Sequence, residues 1–425
     1  MNGLIIFGLL VVLMLTGMPI SIALGLTVMT FIFGFTQVPL ESVALKLFTG
    51  IEKFEIMAIP FFILAGNFLT HGGVAKRMIN FASSLVGHWH GGLGLASVLA
   101  CALFAALSGS SPACVVAIGS IMLPAMVKAG FPPRFGAGII TTSGALGILI
   151  PPSIAMVMYS VSTNTSLSGL FLAGVVPGIA LATMLGMTTW WRARKNNYPR
   201  MARATWAQRW AALRDSFWGL LLIVVVMGGI YSGLFTPTEA AAMAAVYAFI
   251  VAVFVYKDIS LKDVPKVLLS SANMSAMLLY IITNAVLFSF VLANEQIPQH
   301  LADWLVNMGL GPIAFLLVVN ILLLVAGNFM EPSSIILILA PLLVPIAKNL
   351  GIDPIHLGVI MTVNMEIGMI HPPVGLNLFV ASHIAKMGLT EVSIACLPWV
   401  FVLLAYLILI TYVPAVSLWL PNLMY

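Results

Sequence analysis

The stretch Gly147-Ile148-Leu149-Ile150-Pro151-Pro152 decides how this chain is read. It lies inside an apolar run and recurs as Gly368-Met369-Ile370-His371-Pro372-Pro373. Two successive prolines remove backbone donors and stop a helix locally. The residue before each pair, Ile150 or His371, is driven towards extended geometry. In a membrane the carbonyls freed in this way need a partner that lipid cannot supply, and a bound cation can. For either copy taken alone, a plainer reading stays open: Gly and Pro merely let helices approach closely.

The surrounding composition supports a membrane setting. Of 425 residues, 61% are hydrophobic and 7% charged, and the mean hydropathy is +1.11. A soluble domain carries about a quarter charged residues, so an all-α polytopic membrane protein is expected, with spans of about 20 apolar residues. The opening apolar stretch, 4–36, lacks the basic start of a cleavable leader. Its Thr16-Gly17-Met18-Pro19 break makes it one broken span or two short ones. The three cysteines lie in apolar context with no metal spacing. His88-Trp89-His90 lacks a third ligand.

Charge divides the chain in two. Arg192, Arg194, Lys195, Arg200, Arg203, Arg209 and Arg214 crowd one segment, with Trp190, Trp191, Trp206, Trp210 and Trp218 in or beside it. By the positive-inside rule this segment, 192–216, is a cytoplasmic linker, and residues 206–214 are expected to lie on the membrane as a basic interfacial helix. It separates a first half, 1–191, from a second, 217–425. In each half an apolar arm, a polar tip with Pro and a second apolar arm precede the break. The first tip is Ser108-Gly109-Ser110-Ser111-Pro112, and the second is Gly327-Asn328-Phe329-Met330-Glu331-Pro332-Ser333-Ser334. Short arms favour a re-entrant helical hairpin over two full spans. The expected hairpins are 97–127 and 312–347, and the expected broken helices 135–159 and 357–382. The two breaks lie 221 residues apart (368 − 147) and the two tip prolines 220 (332 − 112). A unit with an odd number of crossings, present twice, has inverted topology, and matched Gly/Pro-interrupted segments mark transport sites.

The chemistry follows from those four interruptions. Na⁺ takes oxygen ligands, and the first tip and break offer Ser108, Ser110, Gly147, Ile150 and Pro152 as a first cation set. By the offset, Gly327, Asn328, Met330, Gly368, His371 and Pro373 form a second. An anionic substrate would lie between the tips, near Ser111, Thr142 and Ser143 of one half and Glu331, Ser333, Asn364 and Asn377 of the other. Half-helix N-termini after each tip proline suit a carboxylate. Acids in membrane segments are functional candidates. Glu331 stands at the second tip. Glu239 could be functional or a helix-start residue favoured by the dipole, and Glu366 functional or a packing residue. A hydrolase built on Ser110 or Ser111 lacks a base at suitable spacing, so no enzyme is expected.

Taken together, the first tip, both Gly-x-x-x-Pro-Pro stretches and Thr236-Pro237-Thr238-Glu239-Ala240-Ala241 resemble the large membrane subunit of tripartite ATP-independent periplasmic (TRAP) transporters over the whole chain. The resemblance implies Na⁺-driven uptake of an organic acid anion by an elevator movement in the bacterial inner membrane. It implies a smaller four-helix membrane subunit, not fused here, and a periplasmic substrate-binding protein. It also implies that hairpins and broken helices form the moving unit and that Na⁺ is held largely by backbone oxygens, which maps onto the two sets above. C4-dicarboxylates are the first expected substrate class and sialic acid the second. A stand-alone dicarboxylate or gluconate permease is the alternative.

Overall fold

The computed structural model describes residues 2–36, 38–307, 311–328, 330–372 and 375–424. Among these, nine helices are long and apolar enough to cross a membrane, and no strand forms. Many large apolar side chains face outward, Leu15, Phe33, Val224 and Phe401 among them, as expected where the solvent is lipid.

The opening stretch is two helices, α1 (Asn2–Leu15) and α2 (Ile20–Phe35), turned at Gly17 with φ +81°. After α3 (Leu40–Thr49), a 3-10 turn leads into α4 (Ala58–His71), and α5 (Val74–Val86) follows with Val74, Met78 and Ile79 buried. The first hairpin is α6 (Gly92–Ser108) and α7 (Ser111–Lys128), which pack on each other. The first break separates α8 (Pro133–Gly144) and the single turn α9 (Leu146–Leu149) from α10 (Ile154–Thr163). Then α11 (Leu167–Lys195) ends in the basic cluster.

The linker differs from its expected form. Residues 206–214 are not a separate interfacial helix. They are the first turns of α12 (Trp206–Tyr231), started by a capping box between Thr205 and Gln208. Twenty-six residues span about 39 Å, more than the ~30 Å hydrocarbon core. One helix therefore holds both an apolar stretch long enough to span and the basic turns that precede it. The linker before it is docked: Tyr198 packs on Phe131 and Phe135, Met201 N–H donates to the Gly87 carbonyl at 3.0 Å, and Arg200 contacts His90.

In the second half α13 (Pro237–Ile250) and α14 (Val264–Asn294) are followed by α15 (Ile297–Asn307). The second hairpin is α16 (Pro312–Gly327) and α17 (Pro332–Asn349). The second break divides α18 (Pro354–Gly368) from α19 (Leu376–Ala385), and α20 (Leu389–Tyr412) and α21 (Ala415–Met424) close the chain.

The packing is reciprocal. Hairpin arm α7 lies on α19 of the other half, and hairpin arm α17 on α10; α8 packs on α20, and α18 on α11. A second group has α4 on α13 and α14, and α2 on α14, and it meets the first where α14 lies on α17 and α4 on α6. Asn67 Nδ2 donates to Ser271 Oγ at 2.8 Å across α4 and α14. Between the groups, Lys53 Nζ donates to the Val161 carbonyl and to Asn164 Oδ1, both at 2.6 Å, gripping the C-terminal end of α10. Burial pushes the Lys53 pKa down, and nearby Glu55 opposes this. Elsewhere Arg77 holds Asp258 at 2.5 Å and Asp215 at 3.4 Å, with its guanidinium 3.8 Å from the Tyr256 ring centre.

Candidate functional site

The first tip and the first break touch. Gly109 turns the tip with φ +58°, and its carbonyl accepts from Ile154 N–H at 3.5 Å. A Cβ on Gly147 would lie 2.6 Å from the Ser110 carbonyl oxygen and 2.7 Å from Ser111 Cα. Only glycine allows this approach, the packing reason for that position. Ser108 Oγ donates to the Ser110 carbonyl at 3.4 Å and lies 3.2 Å from Cys114 Sγ. The Pro152 carbonyl faces Gly109, whereas the Ile150 side chain faces Gly178 of α11. Four of the five residues in the first cation set are therefore brought together at the tip: Ser108, Ser110, Gly147 and Pro152.

The second tip meets its break by the same device. A Cβ on Gly368 would lie 2.7 Å from Gly327 Cα and 3.1 Å from the Gly327 carbonyl oxygen. His371 Nδ1 stands 3.0 Å from Asn328 Oδ1. Met330 N–H donates to the Ala326 carbonyl at 3.1 Å. Pro373, the last member of the second set, lies outside the described residues.

Between the tips is a cavity of about 420 Å³, within the roughly 300–1,000 Å³ of small-molecule sites. Ser110, Ser111, Glu331 and Ser333 line it, with Met274, Met277 and Leu278 of α14 opposite. Ser333 Oγ donates to Glu331 Oε1 at 2.7 Å, and Asn377 Nδ2 donates to Ser111 Oγ at 2.6 Å, joining the halves. Both α7 and α17 start at this cavity, so unpaired N–H groups and a partial positive charge of about half a unit per helix converge on it. Among the described residues, no Lys or Arg lines it.

Four expected substrate residues do not line the cavity: Asn377, buried behind Ser111, and three that sit elsewhere. Thr142, Ser143 and Asn364 are fully buried and do not line the cavity. Thr142 Oγ1 donates within α8 to the Gly138 and Ile139 carbonyls, satisfying itself against its own helix. Asn364 Nδ2 donates to Asn320 Oδ1 at 2.6 Å, and Asn320 Nδ2 to Thr411 Oγ1 at 2.9 Å, a buried amide chain. The Ser143 hydroxyl has no hydrogen-bond partner among the described residues. Glu239 closes a capping box: its N–H donates to Thr236 Oγ1, and its carboxylate accepts from Thr236 N–H at 2.8 Å. It does not line the cavity.

Glu366 is 0% exposed, and neither carboxyl oxygen has a hydrogen-bond partner among the described residues. Removing a carboxylate from water without a partner is costly, so such a group is stable protonated or beside a cation. Sequence reasoning left it as functional or packing; its burial two residues before Gly368 is what distinguishes it. The α14 side chains were missed. Their signal, methionines spaced three apart in a span, looks like any lipid-facing helix until the tips are placed against it.

The comparisons with known proteins identify the family. Residues 7–416 match the family model described as Tripartite ATP-independent periplasmic transporter, DctM component. The chain is 70% identical to the C4-dicarboxylate TRAP transporter large permease protein DctM of Rhodobacter capsulatus, with each chain covered completely. It is 50% identical to the protein of that name from Vibrio cholerae, covering 99% of this chain and 97% of the relative. It is 35% identical to the sialic acid TRAP transporter large permease protein SiaM of Vibrio cholerae, covering 97% and 96%. The solved structure of the Alcanivorax borkumensis YdaH transporter shares the fold, with TM-score 0.60, 16% identity and 88% of each chain covered. The touching tips and breaks and the match across nearly the whole length lead to one conclusion: this chain belongs to the DctM family, the large permease component of TRAP transporters.

Proposed function

We propose that this chain moves C4-dicarboxylates inward across the bacterial inner membrane, coupled to Na⁺. The cavity between the two hairpin tips carries the reading. It has hydroxyls and helix N-termini for carboxylates, no basic side chain among the described residues, and a tip-on-break contact at each end. An anion held without Lys or Arg needs compensating charge, and two bound Na⁺ ions supply it. Ser108, Ser110, Gly147, Ile150 and Pro152 form the first ion site; Gly327, Asn328, Met330, Gly368, His371 and Pro373 form the second. The relatives named for C4-dicarboxylates, at 70% and 50% identity, support the substrate class.

The reciprocal packing of α7 on α19 and α17 on α10 supports an inverted repeat. In this reading the hairpins and broken helices move together past the group of α2, α4, α13 and α14 in an elevator motion. A small four-helix membrane subunit completes the complex, and a periplasmic binding protein delivers the acid.

The test is uptake of labelled succinate into proteoliposomes holding both membrane subunits, with the binding protein outside. Accumulation is expected only with an inward Na⁺ gradient and the binding protein present. Equal uptake with K⁺ in place of Na⁺ overturns the coupling. Equal uptake without the binding protein favours a stand-alone permease.

A further inference from the structure

The cavity between the tips has two unlike sides. The tip side offers hydroxyls, a carboxyl and helix N-termini, set among apolar residues such as Ile148, Ile154 and Met369. The opposite side is a face of α14 made of Met274, Met277 and Leu278 at spacings of three and four, which places them together on a helix. Met274 and Met277 line the cavity and are about half exposed, 45% and 51%. None of the three offers a strong hydrogen-bond donor or acceptor. One turn earlier, the Asn67–Ser271 hydrogen bond ties α14 to α4, so the wall is braced.

From this we infer that Met274, Met277 and Leu278 form a selectivity wall. It favours short acids with a bare carbon skeleton over acids carrying several hydroxyls. The inference rests on the reading of this cavity as the substrate site. Carboxylates are satisfied on the tip side, so the carbon skeleton faces the thioethers. A hydroxyl turned towards that wall gives up its hydrogen bond to water and gains none. A methylene there makes dispersion contacts with a soft, adaptable surface. Contacts of this kind discriminate by roughly 10–200-fold per group.

The chain provides a clean probe. Cys101, Cys114 and Cys396 are all buried, so a thiol introduced at the wall is the reactive one. In the purified two-subunit complex, Met277→Cys and Met274→Cys are each expected to react with a maleimide, and succinate with Na⁺ should slow that reaction at least threefold. Competition against bound labelled succinate, without the binding protein, gives the second arm. Met277→Asn is expected to improve competition by gluconate about tenfold relative to wild type. Wild-type protein that binds no dicarboxylate overturns the substrate reading itself. Wild-type protein that binds succinate, with labelling unprotected at both positions, overturns the wall. So does an unchanged gluconate-to-succinate ratio in Met277→Asn.

Discussion

The two tip-and-break centres share one backbone device and differ in charge. Each packs a glycine of the break, Gly147 or Gly368, directly onto the tip. Around that contact the first centre is neutral, with Ser108, Ser110 and Ser111 at its tip, Ala145 two residues before its glycine and Ile150 before its prolines. At the matching positions of the second centre stand Glu331 at the tip, Glu366 before the glycine and His371 before the prolines. The backbone geometry is what both centres require. The added acids are particular to the second, and a carboxylate in a water-poor site asks for a cation more strongly than a hydroxyl does. The difference predicts unequal ion dependence at the two ends of one cavity.

Four substitutions test this contrast. The largest effect belongs to what the centres share. Gly147→Val and Gly368→Val each force side-chain atoms into backbone, an overpacking cost of about 1–3 kcal/mol or more. Each is expected to cut succinate uptake at least roughly tenfold with the protein still in the membrane. Normal uptake in either variant would remove that contact from the mechanism. Next comes the charge that the centres do not share. Glu331→Gln keeps the shape and removes the charge; the Na⁺ concentration for half-maximal uptake should rise roughly tenfold, about 1.4 kcal/mol. Ser110→Ala should change it less, and an equal shift would erase the asymmetry between the centres.

Glu366→Gln probes the carboxyl set back from the cavity. Na⁺ activation should shift by a few fold, about 1 kcal/mol, with KM for succinate steady. A curve unchanged from wild type would assign Glu366 to packing alone. The smallest effect should come from Thr142→Val. Its hydroxyl is spent on the Gly138 carbonyl, so uptake should stay within about twofold. Asn364 of α18 is unlike it: Asn364→Ala leaves Asn320 Oδ1 buried without its donor and should lower thermal stability by about 1–3 kcal/mol.

The tips and breaks were readable from sequence because Gly, Ser and Pro act on their own backbone, whatever surrounds them. Ser110, Gly147 and Gly368 could be placed from spacing alone. Thr142 and Asn364 could not, because a polar residue on a span faces either a cavity or a neighbouring helix, and sequence does not say which. Residues 206–214 misled for a related reason. Their charges suggested a separate interfacial helix, but the helix that starts at the Thr205 capping box runs on to Tyr231. Lys53 and the α14 methionines act on residues far away in the chain, and no local pattern announces such a partner.

The hydrogen bond from Asn377 to Ser111 joins residues 266 positions apart. Seen in time rather than space, that separation is a wait. At about 5–20 residues per second of synthesis, the first tip is made roughly 13–53 s before Asn377 exists. During that interval α7 lacks α19, and α10 lacks α17. Until its second half arrives, the first half holds those faces without the partners that cover them in the finished fold.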